Sequence, residues 1–422
     1  MGVERIVVMG LGYVGLPTAA VFASRRIQVL GVDVNQKAVD TINQGRIHIV
    51  EPSLDIVVRA AVTEGYLKAA MAPTEADAFL IAVPTPFKDG NVPDLSYVEN
   101  ATRALAKVLR PGNLVVLEST SPVGTTESMC EWLTEERPDL TFPHTEGENS
   151  DIRVAHCPER VLPGQVIREL VENDRVIGGI TPACAEASVA LYKQVVQGQC
   201  IVTNARTAEM AKLTENSFRD VNIAFANELS LICDKLDINV WEMIELANRH
   251  PRVNILQPGA GVGGHCIAVD PWFIVDSAPE QARIIRAARE INDNKPDWVL
   301  SRVRQSIEAL EKAKPGVQRR DIKVACLGVA FKPDIDDLRE SPALNITLGI
   351  AGLGCQVLVV EPNVSELPPA LQAPNIQQAT MLQVLQTADI TCILVRHASF
   401  IEVRSLLQEV KGLIDVVGLT HH

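Results

Sequence analysis

The amino-acid sequence predicts an α/β protein in which two doubly wound domains flank a central helical region containing one long helix. Three observations predict it. A glycine-rich turn follows the first short apolar run, in RIVVMGLGYVG; the stretch from Thr207 to Ile238 contains neither proline nor glycine; and IKVACLGVAFKPD, from Ile322, repeats the opening pattern in degenerate form. The expected boundaries are 1–205, 206–312 and 313–422, with a cleft between the two α/β domains. A chain of 422 residues, 47% hydrophobic and 22% charged, is long enough for two or three ordinary globular domains.

In the first segment, residues 5–9 form a β-branched apolar run. Gly10, Gly12 and Gly15 then set G-x-G-x-x-G, with Tyr13 and Val14 inside it. An alanine-rich helical stretch follows, and a second apolar run, Ile27 to Val32, ends at Asp33. Strand, glycine turn, helix, strand and acid is the order of a Rossmann-like dinucleotide-binding crossover. The turn must be tight, the backbone must approach a pyrophosphate, and helix N–H groups can meet its charge. Asp33 is placed to accept from ribose hydroxyls and would repel a ribose phosphate, which favours NAD over NADP. Further apolar runs, Ala78–Val83 before PTP and Leu114–Leu117 before ESTSPVG, end in the polar turns where open α/β sheets bind ligands. Thr85, Thr120 and Thr126 are candidates to face the cofactor, with turn formation and helix capping as the alternative.

The stretch from Thr207 to Ile238 carries helical periodicity through Met210, Leu213, Phe218, Val221, Phe225, Leu229 and Ile232, and is expected to be a largely buried helix. Lys212, Asn216 and Arg219, spaced by four and three, share one face of it. A polar site on this face outweighs a merely solvated one. A helix of this length also suits contacts between copies, so a homo-oligomer is expected. After KAKPGVQRRD, the third region reads as strand Ile322–Leu327, Gly328, a turn, a helix from near Ser341, strand Val357–Val360 ending at Glu361, and a further strand within Ala388–Val395. Phe331 and Lys332 stand where more glycines would be expected, so this fold should bind something other than a dinucleotide.

Composition narrows the partners. A formal charge of −13 argues against nucleic acid and anionic membranes. No apolar run reaches the roughly 18 residues of a membrane span, and Glu4 and Arg5 precede a strand instead of a signal peptide, so a cytoplasmic protein is expected. Nine cysteines without a C-x-x-C pair fit reduced thiols better than disulfides or a zinc site. On composition alone, Cys266 reads as one more inert buried thiol.

A series of motifs in fixed order changes that reading: GLGYVGLPTAAVFA, VPTPF, ESTSPVGTTE, CPERVLPG, AEMAKLTENSFRDVNIAFANELS, NRHPRVNILQPGAGVGGHCIAVDPWF and FKPDIDDLRESPA. With these, nearly the whole chain resembles the UDP-sugar dehydrogenase family of UDP-glucose and GDP-mannose dehydrogenases. The resemblance implies two successive hydride transfers to NAD, taking a sugar primary alcohol through aldehyde and thioester to the carboxylate. The implied substrate is UDP-N-acetyl-D-mannosamine, with UDP-glucose or UDP-N-acetylglucosamine as alternatives. A non-catalytic regulator binding NAD and a nucleotide sugar is the alternative from another class.

By the same resemblance Cys266 is the nucleophile that traps the aldehyde, because a thiolate adds to a carbonyl and the thiohemiacetal can lose hydride. Asp270 is expected to activate the thiol or a water, with helix capping as its alternative. Lys212 and Asn216 would stabilise oxyanions, and Lys212 could also shuttle a proton. Glu159 matches a glutamate acting through water as base, and Arg160 and Val161 match substrate contacts. Gly263 belongs to the glycine-rich approach to the thiol. Arg219, His250, Arg252, Lys332 and Arg339 are candidates to compensate the pyrophosphate, beside Phe331. Arg252 lies in a segment that in the family reaches across a dimer interface, and Arg339 matches an arginine that meets NAD. One departure stands out: where the family carries a basic residue, LIDVVGLTHH has Val416 and Val417. His421 and His422 receive no role.

Overall fold

The computed structural model describes residues 3–49, 51–161, 164–264 and 266–421. Leu162, Pro163 and His265, which belong to two of the quoted motifs, lie outside the described residues, as does His422. The chain divides into two compact units, Met1–Glu215 and Asn216–His422.

The first unit is built on strands β1 (Arg5–Met9), β2 (Gln28–Val32), β3 (Leu67–Ala70), β4 (Ala78–Ile81), β7 (Leu114–Leu117), β8 (Arg153–His156), β9 (Arg175–Gly179) and β10 (Cys200–Asn204). A separate hairpin pairs β5 (Phe87–Lys88) with β6 (Val92–Pro93). The main sheet has the order β10-β9-β8-β7-β4-β1-β2-β3. Its pairs are parallel except β8 with β9. Helices cover both faces of such a sheet, so its central strands β1, β4 and β7 carry continuous apolar runs. Ile6, Val8, Leu80 and Val116 enter one core, and Val7, Met9, Phe79, Ile81, Val115 and Leu117 enter the other. Chain order reverses between β1 and β4, where a doubly wound sheet opens a ligand crevice at the strands' carboxyl ends.

The second unit carries a five-stranded parallel sheet of β11 (Lys323–Leu327), β12 (Gln356–Val360), β13 (Ile376–Gln378), β14 (Ile390–Ile393) and β15 (Leu413–Asp415), in the order β13-β12-β11-β14-β15. Here the degenerate turn departs from the first. Gly328 keeps a left-handed φ of 85°, but the chain then loops, with the Phe331 N–H donating to the Asp337 carbonyl. The helix waits until Pro342–Gly352, where the Ser341 hydroxyl caps it by accepting from Leu344 N. Glu361, after β12, accepts from Val329 N and Ala330 N and meets His397 Nε2 at 3.1 Å. That carboxylate is occupied by its own domain.

The long helix runs Ala205–Leu236, two residues earlier at each end than the stretch marked by the sequence. Its burial corrects the sequence reading. Phe218 is 70% exposed and Phe225 51%, whereas Asp220, Asn227 and Ser230 are buried. The reason is the partner helix Arg283–Ala313, which presents buried Arg289, Asn292 and Lys295. Arg289 Nη1 donates to Asp220 Oδ1 at 2.6 Å, Asn292 Nδ2 to the same oxygen at 2.8 Å, and Asn227 Nδ2 to Asn292 Oδ1 at 2.9 Å. Buried polar groups of this kind persist because they satisfy each other. Among the described residues no helix is long and apolar enough to cross a membrane.

Candidate active site

The glycine turn has the local geometry of a dinucleotide cradle. Gly10 has φ 90°, and a Cβ there would lie 2.6 Å from the Ala82 carbonyl oxygen; at Gly15 it would lie 1.8 Å from the Gly10 oxygen. These two positions therefore require glycine for conformation and close packing. Gly12 faces open space, where a phosphate could approach the backbone. The helix Gly15–Ser24 begins after Val14 with no side-chain cap and no acid in its first turn, leaving its N–H groups oriented for an anion. Tyr13 is 41% exposed beside it. Asp33 braces the turn by accepting from Leu11 N at 2.9 Å and Asn35 N at 2.8 Å, which aims its carboxylate at the end of β2. These residues fit NAD.

The three threonines are placed differently from one another. Thr85 donates its hydroxyl to the Thr120 carbonyl at 2.6 Å, tying together the turns after β4 and β7. Thr126 is fully buried at the start of the helix Thr125–Glu136, and its hydroxyl donates to Glu209 Oε1 at 2.6 Å. Glu209 also accepts from Gly124 N and Thr126 N, so an acid from the long helix caps this helix. The sequence reading did not single out Glu209; the signal was an acid amid the apolar face of that helix.

Glu159 follows β8 and is buried. Its Oε1 accepts from Arg160 N at 2.6 Å, and its Oε2 from Arg175 Nη1 at 3.2 Å. Arg160 extends to Glu215, 2.7 Å away, and Val161 packs against the first unit's core. Behind Glu159 lies Glu118, which accepts from the Tyr192 hydroxyl at 2.6 Å. Burial pushes the Glu118 carboxyl up to about 7, with Arg175 and Tyr192 opposing the shift. A carboxyl raised in the folded state retains a proton that the unfolded chain has lost. Stability should therefore fall as pH rises from about 4.5 through 7, by up to about 3 kcal/mol. Glu118→Gln is expected to match the parent at pH 5 and exceed it at pH 8 in urea melts; identical pH dependence in both proteins would refute this assignment. Neither Glu118 nor Arg175 was singled out in the sequence. The available signals were an acid ending LVVLE and an arginine opening RVIGG.

In the second unit the residues around the thiol come together. Cys266 is exposed, whereas seven of the nine cysteines are buried and Cys200 is intermediate. Its carbonyl accepts from Val269 N and Asp270 N, forming the turn that leads into the helix Asp270–Ser277. Asp270 is 3% exposed, and Asn216 Nδ2 donates to its Oδ2. The backbone turn thus sets Cys266 close in the chain to Asp270, whose carboxylate meets the Asn216 amide, and Lys212 precedes Asn216 by one turn of the long helix. The glycines before the thiol serve packing. A Cβ at Gly263 would lie 2.3 Å from the Glu340 oxygen, and one at Gly264 would lie 2.9 Å from the Phe331 ring.

The candidate cations are more dispersed. Arg219, His250, Arg252 and Lys332 are exposed. Arg252 N donates to His250 Nδ1 at 3.3 Å on the turn after the helix Val240–Ala247. Arg339 makes an ion pair with Asp337 at 2.6 Å. Val416 and Val417 pack into the second unit's apolar clusters, so the departure from the family pattern is a core position here.

Known proteins place the whole chain in one family. Residues 4–196 match the NAD binding domain of the UDP-glucose/GDP-mannose dehydrogenase family, residues 206–294 its central domain and residues 325–421 its UDP binding domain. The chain is 65% identical over 408 residues to a UDP-N-acetyl-D-mannosamine dehydrogenase of Campylobacter jejuni, covering 95% of this chain and 97% of that one. It is 63% identical over 418 residues to an NDP-N-acetyl-D-galactosaminuronic acid dehydrogenase of Ralstonia nicotianae, covering 99% and 96%. Among solved structures, a UDP-D-ManNAc dehydrogenase from Pyrococcus horikoshii is similar with a TM-score of 0.86 and 38% identity, covering 98% of this chain and 96% of that one. The glycine cradle, the exposed Cys266 and these matches lead to one conclusion: the chain belongs to the UDP-glucose/GDP-mannose dehydrogenase family.

Proposed function

We propose that the chain oxidises the C6 alcohol of UDP-N-acetyl-D-mannosamine to the carboxylate in two two-electron steps, through a thioester on Cys266. The observation that carries this reading is the exposed thiol of Cys266 on the same turn as buried Asp270, itself held by Asn216. The Gly10–Gly15 turn and Asp33 would hold NAD, which would supply the hydride acceptor for each oxidation. In the first, Glu159 acting through water, or Lys212, takes the alcohol proton. The Cys266 thiolate then adds to the aldehyde carbonyl, and Lys212 and Asn216 hold the resulting oxyanion. Loss of the second hydride leaves the thioester. Water, activated by Asp270 or Glu159, displaces sulfur and returns the thiolate. One alcohol, two NAD and one water thus yield one carboxylate, two NADH and three protons.

Arg160, Val161, Phe331 and Gly263 are assigned to substrate, with Arg219, His250, Arg252 and Lys332 compensating the pyrophosphate. Arg339, Thr85, Thr120 and Thr126 are assigned to the cofactor side, Thr126 through the helix start that it shares with Glu209. The division 1–205, 206–312 and 313–422 follows these roles. A homo-oligomer is proposed through the long helix, where exposed Phe218, Phe225 and Ile232 recur every seventh residue as an apolar seam suited to a second copy. A cytoplasmic location suits the ligands.

The relative of 63% identity named for N-acetyl-D-galactosaminuronic acid favours a second reading, the same chemistry on a galacto-configured sugar. Incubating the protein with NAD and a panel of UDP-sugars decides between them. Two NADH per sugar are expected, with N-acetylmannosamine preferred. Preference for N-acetylgalactosamine would select the second reading, one NADH per sugar would exclude the thioester route, and none would leave a binding protein.

A further inference from the structure

We propose that Arg175, braced by Tyr192 and the Leu170 carbonyl, is the positioning residue that aims Glu159. This rests on the reading of Glu159 as the base acting through water. Arg175 opens β9 and is 3% exposed. Its guanidinium is fixed on three sides: Nη1 donates to Glu159 Oε2 at 3.2 Å, Nη2 to the Leu170 carbonyl at 3.4 Å, and its centre lies 5.5 Å from the Tyr192 ring centroid. Tyr192 is itself anchored, by its hydroxyl to Glu118 and by its ring against Phe22, 6.1 Å between centroids. Burial opposes the Arg175 charge, but Glu159 and Glu118 beside it outweigh that and hold the guanidinium protonated, above its ordinary value.

The consequence is orientation. One oxygen of Glu159 is tied to the backbone N–H of Arg160, the other to Arg175, so the carboxylate plane cannot rotate. Each oxygen keeps a lone pair with which to accept from a reacting water. A planar fork can serve Glu159 and Leu170 together; an ammonium supplies the charge without that geometry. Beneath the arginine lies a small cavity lined by Thr18, Phe22, Arg175 and Tyr192, with volume for about one water, about 10 Å³. Arg175 Nε is buried beside it without a partner in hydrogen-bonding geometry. Thr18 lies on the helix that follows the glycine turn, so the same cluster links the base to the cofactor helix.

The test compares full-length Arg175→Met, Arg175→Lys, Tyr192→Phe and Glu159→Gln by steady-state kinetics and thermal unfolding. Arg175→Met is expected to lower kcat about 100-fold while KM for the UDP-sugar and for NAD stays within about threefold. Arg175→Lys should recover to within about tenfold of the parent, and Tyr192→Phe should lower kcat about fivefold. Adding Arg175→Met to Glu159→Gln should cost nothing further, because both act on one group. A folded Arg175→Met with parental kcat overturns the proposal, as does a loss confined to KM and unfolding temperature. If Arg175→Met does not fold, parental kcat in both Arg175→Lys and Tyr192→Phe overturns it. Glu159→Gln separates the two readings: if it turns over at the parental rate, the base assignment fails, and if it is impaired while Arg175→Met is not, only the positioning role fails.

Discussion

Replacing Cys266 with serine is expected to lower uronate formation by at least about 10³-fold while leaving nucleotide-sugar and NAD binding intact. The hydroxyl has nearly the size of the thiol but is protonated at neutral pH and a weak nucleophile, so the aldehyde is no longer captured as a hemiacetal ready for the second oxidation. The thiol's surroundings set it apart from the others. Burial pushes the Cys157 and Cys326 thiols up to about 12, which keeps them protonated and inert, whereas Cys266 is exposed on a turn beside Asp270. Mass spectrometry of acid-quenched turnover should find a sugar adduct on Cys266 in the parent and none in the variant, with aldehyde accumulating and NADH stopping at or below one per sugar. Parental rates with two NADH per sugar in Cys266→Ser would end the covalent route.

Arg289→Leu is expected to destabilise the second unit by about 3–5 kcal/mol, lowering its unfolding temperature by roughly 10 °C. Arg289 is 1% exposed and Asp220 is fully buried, so removing the guanidinium strands a carboxylate in the protein interior. Burial already raises the Asp220 carboxyl above its ordinary range, against the pull of Arg289 and Asn292. The effect should reach the loop around Cys266. Arg289 Nη1 also meets the Ile267 carbonyl at 3.5 Å, next to Cys266, and Asn227, held by Asn292, accepts from Gly259 N at 2.9 Å. Combining Arg289→Leu with Asp220→Asn should restore part of the loss, because the stranded charge is then gone. An unfolding temperature within 2 °C of the parent, or no recovery in the double variant, would show that the pair is not what joins these helices.

Local signals carried the fold. Continuous apolar runs such as RIVVM and LVVL marked strands buried on both faces, and all of the expected strands are present within a few residues of where the runs lie. The two units with parallel sheets, the helical stretch between them and the glycine turn were legible for the same reason: period and turn chemistry act over short separations. The motif series also singled out Cys266 against its composition, which alone favoured an inert thiol.

The sequence by itself thus determined the strands, the glycine cradle and the family, and it singled out Cys266 as the candidate nucleophile. Tertiary structure alone decided which polar groups face one another: Arg175 with Glu159 and Glu118, Arg289 with Asp220, and Glu209 with the start of the Thr125–Glu136 helix. It also turned the long helix, exposing Phe218 and Phe225 and burying Asp220 and Asn227. Periodicity ranks faces by hydrophobicity, whereas burial of a charge depends on a partner that is remote in the chain, 69 residues away for Asp220 and Arg289. Only the folded chain brings that partner within hydrogen-bonding distance, and without it the desolvation cost would keep the charge in water.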